Sequence, residues 1–175
     1  MGIQKRKICM LGTFGVGKTS LVERFVNNRF SEKYLTTVGL TVSQKMMPPV
    51  QQEPNGIPIQ HMFLIWDIAA IEKFDSMVSN YFRGASGALA VVDLTRPETA
   101  DELATILDRF FAVCPEAVVV YIANKVDLIS DPSKINSRFD QLSVNAASEL
   151  IVTSAKTGAQ VEDAFYLLSQ QIETP

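Results

Sequence analysis

The chain is poor in the residues that metal centres and disulfide scaffolds need: its 175 residues include two cysteines, one histidine and one tryptophan. Cys9 lies inside an apolar segment and Cys114 just before Pro115, so the pair makes no disulfide framework and suits a reducing compartment. His61 has no neighbouring cysteine or carboxylate cluster, and neither metal ligation nor acid-base work is expected of it. No stretch approaches the roughly 18 consecutive apolar residues of a membrane span, and Gly12 cuts the first apolar run too soon for a secretory signal. Positive charge is scarce as well, with 16 Lys and Arg against 19 Asp and Glu for a net charge of -3. Lys5-Arg6-Lys7 is a short solvated strand start and not a basic stripe, so nucleic acid is not an expected partner. What remains is an ordinary globular composition, 47% hydrophobic and 20% charged. A chain of this length buries roughly 70% of its unfolded surface as a single domain.

Along the chain, apolar runs alternate with helical periodicities, and no internal repeat or low-complexity tract interrupts them. Lys7 to Leu11, Gly87 to Asp93, Ala117 to Ala123 and Leu150 to Val152 read as buried parallel strands, being continuous and β-branched rather than alternating. Thr19 to Asn27 carries Leu21, Val22, Phe25 and Val26 on a helix. Pro97 opens another whose Leu103, Ile106, Leu107, Phe110 and Phe111 form a core stripe. A shorter helix is expected from Asp131-Pro132 to about Leu142, and a last one carries Val161, Ala164, Phe165, Leu168 and Ile172. Strand, crossover helix and strand in this order build a parallel sheet. Met46 to Pro58 holds four prolines, which cannot donate to a ladder. A strand should therefore end near Met46, with Asn55-Gly56 turning the chain back toward Gln60 to Ile65.

Two motifs sit at strand ends. Gly12-Thr13-Phe14-Gly15-Val16-Gly17-Lys18-Thr19 fits GxxxxGK(S/T) between a strand and a helix. Glycines there let consecutive backbone N–H groups curl around phosphates, Lys18 reaches the β and γ oxygens, and the Thr19 hydroxyl ligates Mg2+. Asn124-Lys125-Val126-Asp127 follows the strand that ends at Ala123, where open α/β sheets place ligands. A carboxylate at Asp127 can accept two hydrogen bonds from the ring N–H and exocyclic amine of guanine, whereas adenine offers no such pair. Each charge-assisted bond is worth roughly 1.5–3 kcal/mol, so discrimination against ATP should be large. Thr153-Ser154-Ala155-Lys156 after the last strand strengthens the reading.

These residues in this order resemble the Ras superfamily of small GTPases, and most closely its Rab branch. The Rab-like wording is Tyr34-Leu35-Thr36-Thr37-Val38-Gly39, Trp66-Asp67, Tyr81-Phe82-Arg83-Gly84, Asn124-Lys125-Val126-Asp127-Leu128 and Thr153-Ser154-Ala155-Lys156-Thr157-Gly158. The resemblance implies a P-loop NTPase fold: a mostly parallel six-stranded sheet with one antiparallel edge strand and helices on both faces, in one G domain over residues 1–175. It implies GTP or GDP as ligand with Mg2+ as cofactor. Gly15, Val16, Gly17, Lys18, Thr19 and Ser20 would contact phosphates, with Thr37 and Ala70 closing over them. Phe30, Asn124, Lys125, Asp127, Ser154, Ala155 and Lys156 would hold the base. Thr19 and Thr37 would ligate the metal, with Asp67 acting through water. It further implies effectors, exchange factors or activating proteins docking on the switch segments over Val42, Trp66 and Tyr81, a monomer, and a cytoplasmic location, peripheral to membranes through partners. Rab-like proteins usually carry C-terminal cysteines for prenylation and this sequence has none. Either such a tail has been removed or the protein is not lipid-anchored in that way.

The departures concern hydrolysis. After Trp66-Asp67 the family usually reads Thr-Ala-Gly-Gln-Glu; here Ile68-Ala69-Ala70-Ile71-Glu72 stands instead. Ile71 replaces the glutamine that orients the attacking water and has no donor or acceptor to do so. Ala70 replaces a glycine whose N–H meets the γ-phosphate, and its Cβ restricts the backbone there. Phe14 puts a ring where a water or an incoming arginine would need room. No catalytic residue is thus identified with certainty, and impaired hydrolysis is expected. Two readings stay open, a slow GTP-dependent switch and a hydrolysis-deficient scaffold. A phosphotransferase would need an arginine-rich lid, and the arginines are scattered.

Overall fold

The computed structural model describes residues 2–33, 37, 39–51, 58–69, 76–131, 135, 137, 139 and 150–172, with 76–78 through their backbone only. The strands are β1 (Gly2–Leu11), β2 (Leu40–Met46), β3 (Ile59–Ile68), β4 (Gly87–Asp93), β5 (Val118–Asn124) and β6 (Leu150–Val152). The helices are α1 (Lys18–Asn27), α2 (Ser76–Phe82), α3 (Glu98–Val113) and α4 (Val161–Gln171), with a 3-10 turn at Val126–Leu128. The sheet order is β2-β3-β1-β4-β5-β6. Only β2 runs antiparallel, on β3 at the edge; every other pair is parallel. This is the expected sheet. The chain leaves β1 with neighbours on both sides, so the loop after β1 opens at the point where the winding reverses, the usual ligand crevice of such sheets.

β1 is longer than the apolar run that predicted it. Its pairing with β3 runs from Gly2 opposite Ile59 to Met10 opposite Asp67. Only Ile8 to Leu11 is wholly buried in it, and the polar half is recruited because each backbone donor and acceptor finds its partner on an equally long β3. β2 ends at Met46, as the prolines require. The Asn55-Gly56 turn lies outside the described residues, as does most of the helix expected beyond Asp131, of which only 135, 137 and 139 are described.

Helices cover both faces. On one, α1 and α4 pack over Ile8, Met10, Leu89 and Val120, with Phe25 and Phe165 stacked at a 3.8 Å centroid distance. On the other, α3 packs over Cys9, Leu11, Ala88 and Ala90, with Phe82 and Phe110 edge to face at 5.3 Å. Truncating a buried ring such as Phe165 to alanine typically costs about 3–5 kcal/mol. The α3 stripe needs one correction: Phe110 is fully buried but Phe111 is 36% exposed. Adjacent helical residues point about 100° apart, so both rings cannot face the same sheet. Burial pushes the Cys9 thiol up to about 12, keeping it protonated and unreactive. His61 is buried and shares a 2.8 Å hydrogen bond with Ser169 of α4, a packing role in line with the sequence. Among the described residues no helix is long and apolar enough to cross a membrane.

Candidate nucleotide site

The loop between β1 and α1 is shaped by two glycines that no other residue could replace. Gly12 has φ +140 and its missing Cβ would run into the Val91 carbonyl; Gly17 has φ +101 and its Cβ would strike the Asn124 amide. Gly17 also caps α1 without a side-chain hydrogen bond, leaving the first helical N–H groups available to an anion. Lys18 is buried, and its ammonium donates to the carbonyls of Gly12 at 2.8 Å and Thr13 at 3.0 Å, arching back over the loop.

The strand end of β5 meets this loop directly. Asn124 Nδ2 donates to the Val16 carbonyl at 3.0 Å, while its Oδ1 accepts from the Ala155 N–H and the Thr153 hydroxyl, both at 3.2 Å. Lys125, in left-handed conformation at φ 70, donates to the Gly15 carbonyl at 2.7 Å. Asp127 Oδ1 accepts from the Ser154 hydroxyl at 2.5 Å, which holds the carboxylate in place at the cavity wall. One cavity of about 430 Å3 joins the two motifs, a size that suits a small-molecule ligand. Gly15, Gly17, Lys18, Thr19, Ser20 and Thr37 line its phosphate-loop end, and Phe30, Asn124, Lys125, Asp127, Ala155 and Lys156 its other end. Val16 and Ser154 stand behind the wall as carbonyl and hydroxyl partners of Asn124 and Asp127. Phe14 lines the same cavity and is 40% exposed. Lys156 pairs with Glu32 at 3.3 Å in solvent, a contact that contributes little. Ala70, Ile71 and Glu72 lie outside the described residues.

A third cluster lies beneath the loop. The Thr19 hydroxyl donates to Asp67 Oδ2 at 2.5 Å, and its oxygen lies 2.5 Å from that of Thr37. Asp67 is 2% exposed, and its Oδ1 is buried with no partner among the described residues. Burial raises the Asp67 carboxyl above its ordinary value, against lowering by the Thr19 hydrogen bond and the Lys18 charge. Two hydroxyls and a carboxylate with a spare oxygen form a hard, all-oxygen donor set, which fits Mg2+. Among the described residues no cluster of three or more His, Cys, Asp or Glu offers an alternative metal site.

Three residues at the site escaped the sequence reading. Arg24 donates to the carbonyls of Ala155 at 2.8 Å and Lys156 at 2.5 Å, tying α1 to the base-side loop. Asp93 and Arg96 act together beside the phosphate loop, as described below. Asp93 could have been found, since it is the lone charge ending an apolar strand, as Asp67 nearly is. The two arginines carry no such signal.

The proposed docking patch is mixed. Val42 is 46% exposed and pairs across the ladder with Trp66, which is half-buried and packs against the α3-side core together with Tyr81. Lys7 Nζ sits 3.7 Å from the centre of the Trp66 ring, so the indole serves packing and surface at once.

Strand order, glycine-shaped loop and the motif at the end of β5 together define a P-loop nucleotide-binding fold. The Ras family model matches residues 7–174, and the chain belongs to that family of small GTPases, which are GTP-binding switches. Rat Ras-related protein Rab-31 is 34% identical over 174 residues, 98% of this chain and 85% of the relative. Human Ras-related protein Rab-22A is 32% identical over 173 residues, covering 98% and 86%. The GTP-binding protein ypt4 of Schizosaccharomyces pombe is 30% identical over 174 residues, covering 96% and 71%. The Rab-like wording of the sequence is thereby borne out.

Proposed function

We propose that this chain is one G domain that holds GTP and GDP with Mg2+ and hydrolyses GTP slowly. The observation that carries the reading is the single cavity lined at one end by Lys18, Thr19 and Thr37 and at the other by Asn124, Asp127 and Ala155. In it, Gly15, Val16, Gly17, Lys18, Thr19 and Ser20 hold the phosphates. Asp127 accepts the two guanine donors, the Ala155 N–H, which donates to Asn124 Oδ1 at 3.2 Å, is shared with the base oxygen, and Phe30 and Lys156 cover the ring faces. Asn124, Lys125 and Ser154 keep those groups in place. Thr19, Thr37 and Asp67 would hold Mg2+, which would supply neutralisation of phosphate charge. Effectors and regulators dock through the switch segments, over Val42, Trp66 and Tyr81.

Slow turnover follows from chemistry at two positions. Ile71 cannot orient a water, and Phe14 crowds the phosphate end of the cavity. The Phe14 ring also favours the second reading, a hydrolysis-deficient scaffold held in one nucleotide state. Nucleotide released by denaturing the purified protein and identified by chromatography tests both. Guanine nucleotide supports the binding reading and adenine nucleotide refutes it. Predominant GTP favours slow or absent turnover, and Ile71→Gln should then raise single-turnover hydrolysis. An unchanged rate, with Phe14→Gly and Ala70→Gly added, would defeat the explanation by a lost water contact.

A further inference from the structure

Beside the phosphate loop, two cations grip consecutive backbone carbonyls. Arg96 Nη2 donates to the Phe14 carbonyl at 2.9 Å and Lys125 Nζ to the Gly15 carbonyl at 2.7 Å. Both cations are anchored on one oxygen, Asp93 Oδ2, at 3.0 Å from Arg96 Nε and 2.6 Å from Lys125 Nζ. The other oxygen, Oδ1, accepts from the backbone N–H and the hydroxyl of Thr95. Asp93 is 1% exposed, so this is a buried carboxylate with every acceptor site directed at a donor. Burial works to raise its carboxyl, and the bonds from Lys125, Thr95 and Arg96 outweigh that and hold it below the ordinary value.

The consequence follows from peptide geometry. No peptide bond in the described chain is cis, and across a planar trans peptide the C=O of one residue and the N–H of the next point in opposite directions. Turning the Phe14 and Gly15 carbonyls outward therefore turns the Gly15 and Val16 N–H groups inward, to the side where an anion would sit. We propose that Asp93 and Arg96 are positioning residues of the phosphate loop: through Arg96, and through Lys125, the buried carboxylate keeps the loop's amides aimed at the phosphates and so slows nucleotide release. This deepens the guanine-nucleotide reading above and rests on it. Among the described residues the Arg96 side chain bonds to Asp93 and the Phe14 carbonyl, and it does not line the cavity. Its effect is on the phosphate half of the ligand alone.

The test uses the whole chain loaded with fluorescent GDP or with the inosine analogue, which lacks the exocyclic amine that Asp127 would accept. Release is followed by stopped flow in Mg2+ buffer. Arg96→Ala should speed release of both nucleotides by about threefold to tenfold, as expected for one lost charge-assisted bond at a partly exposed site. The GDP-to-inosine preference and the thermal unfolding of nucleotide-free protein should hardly move. Arg96→Lys should recover part of the retention, and Asp93→Asn, which keeps an acceptor for Thr95 but no charge for the cations, should release faster than Arg96→Ala. Asp127→Ala, by contrast, should collapse the GDP preference. Unchanged release from Arg96→Ala would overturn the proposal, as would faster release from Arg96→Ala accompanied by an equal loss of fold stability or by a changed base preference. If the unmodified protein retains no guanine nucleotide at all, the guanine reading fails and this one with it, a result distinct from the others.

Discussion

Asp67 and Asp93 stand at the ends of β3 and β4, the two strands that flank β1, and are buried alike at 2% and 1% exposure. Their surroundings push them in opposite directions. Asp93 has two cations and a threonine to satisfy it and sits below its ordinary value. Asp67 has one hydroxyl donor and, among the described residues, an orphaned oxygen, and sits above it. A buried carboxylate with all its acceptors used is a fastener that sets backbone geometry. One left with a spare oxygen beside two hydroxyls is set up to take a cation. The same residue type, two strands apart, thus separates a scaffold carboxylate from the one proposed for the metal.

Substitution of each carboxylate should separate the two roles. Asp93→Asn should give the largest effect, a loss of about 2–4 kcal/mol in the urea unfolding free energy of nucleotide-free protein, because two cations lose the charge that neutralises them. Asp67→Asn should have the opposite sign. Removing a buried charge that lacks full compensation should raise the melting temperature of metal-free, nucleotide-free protein by a few degrees. The same change should weaken Mg2+ binding by about 10–100-fold in a magnesium titration of nucleotide retention. If Asp67→Asn melts lower, the carboxylate is a fastener too and the contrast disappears.

The smallest expected effect is in pH dependence, read as the difference between each variant and the parent protein. For Asp93, with its folded value lowered from 3.8, the stabilisation is fully present above 3.8 and is lost as pH falls through the folded value. For Asp67, with its folded value raised from 3.8, the stabilisation is fully present below 3.8 and is lost as pH rises through the folded value. In urea midpoints along a pH series without metal or nucleotide, the parent's advantage over Asp93→Asn should therefore shrink on the acid side of 3.8, and its deficit against Asp67→Asn should open on the other. Two differences that change on the same side of 3.8 would refute the opposed assignments.

Much of the site could be read from the sequence because its chemistry is local. Glycines at fixed spacing dictate the loop, and Asn124 ends an apolar strand with Asp127 in the turn just after it, a polar pairing at a strand end that sequence makes visible. The sheet was legible for the same reason, as continuous apolar runs with helices between them. The remainder depends on pairings distant in the chain. The polar start of β1 is a strand only because β3 is equally long, and Phe111 turns outward because Phe110 already fills the inward place. Arg24 and Arg96 are ordinary helix and turn arginines until the fold lays the carbonyls of Ala155 and Phe14 against them. Such acceptors are backbone atoms and leave no trace in residue identity.

The proposed function depends on Asp127, held by Ser154 at one end of the cavity, as the group that would select the base while the amides of the phosphate loop would take the phosphates. Isothermal titration calorimetry of nucleotide-free protein with GDP and with ADP, in Mg2+ buffer, tests this most directly. Two charge-assisted bonds gained with guanine and none with adenine should make GDP bind at least about a hundredfold tighter. Equal affinities for the two nucleotides would contradict it.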